Sequence, residues 1–104
     1  MQIVPTQPVA NQTLTIQLNN QNTQLNIRQT DFGMFIDVMV NNKPIIMGVL
    51  CQNMNRIVRD LYLGFSGDLM FFDNQGDNDP YYTGLGSRYD LLYISPDDLP
   101  AGVG

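Results

Sequence analysis

The ten acidic side chains of this chain are all Asp, and no histidine accompanies them. Histidine is the commonest general base, the usual activator of a Ser or Cys nucleophile, and the commonest metal ligand. Without it, and without Glu, carboxylate catalysis would require a pair of Asp. Asp77 and Asp79 are close in sequence, but loop carboxylates flanking Pro80 are expected to be solvated groups rather than a catalytic dyad. The run Asp73-Asn-Gln-Gly-Asp-Asn-Asp79 offers hard oxygen ligands of the kind calcium takes. It departs from an EF-hand in a misplaced glycine, the lack of a closing Glu and the lack of flanking helices, so an ordinary turn is expected. Cys51 has neither a second Cys nor a His beside it; at the end of an apolar run it is expected to be a buried thiol. Gly64, Gly67, Gly84 and Gly86 lack the spacing of a phosphate-binding turn, and the sequon Asn11-Gln12-Thr13 means nothing without secretion. The expectation is a chain with no catalytic residues, no metal and no cofactor: not an enzyme.

The elements that hold these groups read as strands. At 104 residues the chain is one domain with a thin core. Residues 14, 16 and 18 (Leu14, Ile16, Leu18) alternate with polar residues, as do Leu25 and Ile27, and Asn19-Asn-Gln-Asn22 between them is a turn; together they predict a hairpin. Met34, Ile36, Val38 and Val40 mark the inner face of a third strand, with Asp37 on the other face. Asn41-Asn42 turns the chain into a fourth strand over 43–50, whose Pro44 belongs at its start or on a sheet edge. Residues 51–60 are ambiguous: Met54, Ile57, Val58 and Leu61 have helical spacing, but one helical turn and an irregular crossover fit equally. Residues 61–65 read as a short strand or part of that crossover. A strand ends at Asp73 and the last begins near Arg88, with a turn-rich acidic loop between them. The sum is an all-β domain, a small antiparallel sandwich or barrel of about six or seven short strands, with at most one helical turn around 53–61. It divides into an extended arm (1–10), a β-domain (11–96) and a flexible tail (97–104). The arm, stiffened by Pro5 and Pro8, either pairs with a neighbour or begins the fold at a sheet edge.

Composition narrows the partners. The net charge is −5, with five basic residues, which leaves no footprint for nucleic acid. No apolar run is long enough to cross a membrane, and no signal peptide is evident. Eleven Asn and nine Gln furnish a polar surface of low charge; amides cost less to desolvate than ions, which suits surfaces buried against partners, although nucleotide composition explains the bias equally well. Phe35, Met39, Met70 and Phe72 point away from the inner face. They are expected to form a second core layer or, failing that, a protein-binding surface.

Several stretches carry a resemblance over nearly the whole chain: the proline-bearing arm with Gln12-Thr-Leu-Thr-Ile-Gln-Leu18, Phe35-Ile-Asp-Val38, Gly67-Asp-Leu-Met-Phe-Phe-Asp73, and Leu85-Gly-Ser-Arg-Tyr-Asp-Leu-Leu-Tyr-Ile94. The chain resembles the small bacteriophage tail and baseplate proteins, among them the "ripcord" component of contractile-tail baseplates, which sits near the hub and the end of the tube. The resemblance implies a structural subunit of a symmetric assembly. It implies contacts with other phage tail and baseplate proteins, multiple copies or a homo-oligomeric ring, and a place in the virion after synthesis in the host bacterial cytoplasm. It implies no active site. The interface residues expected are Val4, Pro5 and Pro8 of the arm and Asp77, Asp79, Pro80, Tyr81 and Tyr82 of the acidic loop. The alternative is a receptor- or carbohydrate-binding module using Tyr62, Tyr81, Tyr82 and Tyr89 with the amide-rich loops.

Overall fold

A computed structural model describes residues 2–59 and 65–96. It contains seven strands: β1 (Gln2–Val4), β2 (Asn11–Leu18), β3 (Gln21–Thr30), β4 (Gly33–Val40), β5 (Lys43–Leu50), β6 (Asp68–Asp73) and β7 (Tyr89–Ile94). One sheet has the order β2-β3-β4-β5 and the other β1-β7-β6, every pairing antiparallel. The sheets do not close into a barrel. One apolar cluster joins Leu18, Leu25, Ile36 and Val38 of the first sheet to Val4, Leu69, Phe71 and Leu91 of the second, so the architecture is a two-layer sandwich.

The meander follows from its turns. Asn19 and Asn20 have φ of 50° and 63°, and Asn41 and Asn42 have 51° and 66°. Two successive positive-φ residues define the two-residue hairpin turn whose twist matches its strands, and Asn tolerates that region better than most side chains. The first turn is tighter than the four-residue stretch the sequence suggested, because Gln21 and Asn22 already pair with Leu18 and Gln17. With register fixed at both tips, Leu25, Ile27, Met34, Ile36, Val38 and Val40 all face the core.

Pro44 lies on β5, an edge strand, where a missing N–H leaves no ladder bond unmade. That strand carries a bulge: Ile36 pairs with Val49 and Val38 with Ile46, so two steps of β4 oppose three of β5. Gly48 takes the positive φ of 66° that the bulge needs, and its N–H donates to Asp37 Oδ1 at 2.6 Å.

Between the sheets, residues 51–59 form an irregular crossover with no helical turn. Ile57 and Val58 are buried but Met54 is exposed, so the helical spacing does not describe a common face. The reason is a competing acceptor. Asp68, itself buried, receives the N–H groups of Val58 (2.8 Å), Arg59 (2.9 Å) and Leu69 (2.7 Å), and Asn53 and Arg56 bridge directly to β6. The element expected over 61–65 lies, except for Phe65, outside the described residues, as does the tail from residue 97.

One further expectation changes, and one open alternative is resolved. Phe35, Met39 and Met70 are only half-buried and Phe72 is exposed. The sheets share a single core between them, so the outer faces have no second layer to pack against among the described residues. The arm begins the fold at a sheet edge: β1 pairs with β7 through Gln2↔Tyr93, Ile3↔Leu92 and Val4↔Leu91, and Val4 is 1% exposed.

Two stability predictions follow from these contacts. Val4→Ala is expected to cost about 1.5–2 kcal/mol at ~0.8 kcal/mol per buried carbon, whereas Pro5→Ala, at an exposed position, should stay within ~0.5 kcal/mol; urea unfolding of both variants measures the difference. Gly67→Ala should destabilise more than ~1 kcal/mol, because Gly67 has φ of 95° and a Cβ there would strike the Ile94 carbonyl and the Tyr93 ring; the same unfolding assay tests it.

Candidate protein interface

Buried carboxylates organise the connections around β6 and so decide which surface the protein presents. Asp73 accepts Arg88 Nε at 2.8 Å and Nη2 at 2.9 Å, a two-pronged pairing. Its remaining lone pairs take the N–H groups of Gln75 and Asn78, both at 2.9 Å. The Arg88 hydrogen bonds, followed by those backbone donors and set against burial, hold the Asp73 carboxyl well below the usual carboxylate range, and the same pair holds Arg88 above its ordinary value. Arg88 also lies over the Tyr89 ring, 5.2 Å from its centroid. Asn74 closes the loop by donating to Asp90 Oδ2 at 2.8 Å and to the Arg88 carbonyl at 3.1 Å. The acidic loop is thus a folded structure with its own hydrogen bonds.

Those bonds also settle how its oxygens are used. Asp73 is occupied by four N–H groups, and Asp79 Oδ1 accepts Asn53 N–H at 3.0 Å. No cluster of three or more His, Cys, Asp or Glu fit to hold a metal occurs among the described residues. On the outer face of β4, burial pushes Asp37 up, but the Gly48 N–H and the Arg28 guanidinium at 2.7 Å outweigh it and keep the carboxyl below its ordinary value. Burial pushes the Cys51 thiol up to about 12, which leaves it un-ionised and unreactive at neutral pH.

The structure brings most of the expected interface residues to one end of the sandwich. Pro5 and Pro8 are exposed there, as are Asp77, Asp79 and Tyr81, with Tyr82 half-buried. The arm and loop meet where Gly86, at φ 81°, admits the Thr6 carbonyl so closely that a Cβ would stand 2.9 Å from it. Tyr82 N–H donates to Gln29 Oε1 at 3.2 Å, which ties the loop to the β3–β4 turn, and the Tyr81 and Tyr82 rings lie 5.0 Å apart. Val4 and Pro80 are buried and support this end from inside. Of the aromatic residues considered for a sugar site, Tyr89 is also buried and Tyr62 lies outside the described residues.

Sequence reasoning missed the most prominent side chains of this end. Phe32, at the tip of the β3–β4 turn, is 90% exposed, and Val9, Leu50 and Met54 are exposed nearby. The segments bearing them are tied together by Gln29 N–H to the Ala10 carbonyl, Cys51 N–H to the Met34 carbonyl and Met54 N–H to the Phe71 carbonyl, each at 2.8 Å. Of the eight large apolar side chains exposed among the described residues, five (Val9, Phe32, Leu50, Met54 and Tyr81) belong to this end. The opposite end is amide: Asn19, Asn20, Asn41 and Asn42 form its tips, and Asn19 and Gln21 bond to Ser66. An aromatic between Asp31 and Gly33 at a turn was the readable signal, since turns normally carry small or polar residues.

The described residues thus form a small antiparallel sandwich with one apolar end and one amide end. The chain matches the family of the cyanophage Pam3 baseplate plug gp18 over residues 1–97, and it belongs to that family. No curated protein matches it. Membership supports a structural role in the phage baseplate, contacts with other baseplate proteins and a location in the virion tail. Among the described residues no helix is long and apolar enough to cross a membrane.

The Asp73–Arg88 pair yields a pH prediction. A carboxylate held low in the folded state adds stability that is complete above its unfolded pKa, about 4, and is lost as pH falls toward the folded value. Asp73→Asn should melt at lower temperature than the parent at pH 7, and its melting temperature should decline less steeply between pH 4 and pH 2. Circular dichroism melts across that range check both points.

Proposed function

We propose that this protein is a structural subunit near the hub and tube end of the baseplate, present in several copies related by symmetry and docked on its neighbours through the apolar end. The observation that carries this reading is the gathering of Val9, Phe32, Leu50, Met54 and Tyr81 at one end of a sandwich whose other end is built of Asn turns. Scattered apolar residues are normal on any surface, but a concentration at one end marks a contact surface. The family's description as a plug supports a subunit that fills or seals a neighbour, a role without turnover. The same docking, if undone when a contractile tail fires, makes the subunit a releasable fastener of the kind the ripcord resemblance implies.

Replacing Phe32, Met54 and Tyr81 together by Ser is expected to leave the fold intact, since surface changes of this type shift stability by ~0.5 kcal/mol or less each. Loss of aromatic anchors should weaken docking about tenfold or more. Complementation of a phage lacking the native copy, read as the amount of this protein in purified particles, should show the triple variant depleted and Gln17→Ser, on the opposite end of β2, retained. Equal incorporation of both variants overturns the reading. Finding identical contacts in extended and contracted particles overturns the release step alone.

A further inference from the structure

Beside the apolar end, β5 and the crossover leave a cleft of about 380 Å³ that is open to solvent. Its walls are Ile46, Val49 and Leu50 of β5 and Gln52, Ile57, Val58 and Arg59 of the crossover. Ile57 and Val58 are buried members of the core cluster, and Ile46 and Val49 pack against it, so the cleft reaches down to the core along its length. The same chain carries an apolar projection of matching character. Phe32 stands 90% exposed at the β3–β4 tip, and the next residue, Gly33, lies so near Leu50 that a Cβ on it would meet Leu50 Cδ1 at 2.8 Å. The projection therefore rises next to the mouth of its own cleft yet points into solvent.

We propose that the Asp31–Phe32 tip of one copy seats in the β5 cleft of a second copy. This rests on the reading above that several copies assemble together. Size and chemistry fit: an aromatic ring is the usual anchor of a protein interface and prefers a preformed apolar pocket. Charge fits as well. Asp31 precedes the ring and is exposed, while Arg59 stands at the cleft wall with its Nε directed to the Arg56 carbonyl at 2.6 Å, leaving other guanidinium donors for an incoming carboxylate. One projection and one cleft on every copy make a contact that repeats from subunit to subunit, and such a contact closes into a ring when its rotation permits. Burying one ring removes ~150–250 Å² from water, well short of the ~800 Å² per partner of a stable complex. The contact alone is thus weak in solution and is reinforced by the docking of each copy on the baseplate.

Weak contacts of this kind are read by crosslinking. Phe32→Cys and Val49→Cys proteins, purified separately and mixed with a short thiol crosslinker, should yield a dimer that requires both variants. Met47→Cys, exposed on β5 but not lining the cleft, supplies the background, and Cys51 stays silent because it is buried with its thiol pushed up to about 12. Adding Asp31→Arg to the first partner or Arg59→Asp to the second should each cut the yield by about threefold to fivefold, and combining both should restore it. A yield no greater than the Met47→Cys background, or one indifferent to the charge reversals, overturns the inference. In assembled particles, a Phe32→Cys crosslink that runs to a different baseplate protein and never to a second copy also overturns it, while leaving the docking reading intact; failure of the Ser triple variant to change incorporation removes the docking reading instead.

Discussion

Backbone donors in irregular segments need acceptors, and in this protein two buried aspartates at the ends of β6 supply them. Asp68 collects three N–H groups from the crossover and its own strand; Asp73 collects two from the acidic loop along with the Arg88 fork. An unpaired buried N–H is about as costly as a lost hydrogen bond, so a strand-built domain with long irregular connections depends on such side-chain acceptors. The short Asp side chain suits the task because it reaches neighbouring backbone without the extra rotamer freedom of Glu. The exclusive use of Asp among the acids has a structural use at four of the seven described positions: Asp37, Asp68, Asp73 and Asp79 all accept backbone N–H groups.

Because these loops are pinned, the exposed side chains at the apolar end are held in place. The Tyr81–Tyr82 pair is held by Gln29 and by the buried Pro80, and the crossover that bears Met54 is held on β6. Ordered projections forfeit less side-chain and loop entropy on docking than mobile ones. A sandwich with a single core has little stability to spare for flexibility, so the pinned loops and the ordered apolar end share one cause.

Much of this was legible in the chain. Alternation over Leu14–Ile16–Leu18 and Met34–Ile36–Val38–Val40 gave faces as well as strands, because a period of two has only one inward phase. Asn-Asn pairs announced the hairpins through their tolerance of positive φ. Asp73 and Arg88 bracketed the acidic loop correctly. The crossover was not legible, since the acceptor that straightens it, Asp68, lies ten residues from Val58 in sequence and acts only once β6 is in place. The outer-face aromatics misled because a hydrophobic residue on a strand reports burial in general and not which layer provides it. Phe32 was not legible as an exposed side chain, because a two-residue turn has no periodicity from which exposure can be inferred.

The kink opposite Asp37 has a consequence for the free protein. An uninterrupted edge strand is a template on which further strands can stack without limit. Here Pro44 withholds a donor, and the extra residue at Gly48 twists the row of peptide groups out of line. Strand addition along β5 is thereby disfavoured, so this edge of the four-stranded sheet is a poor template for edge-to-edge stacking.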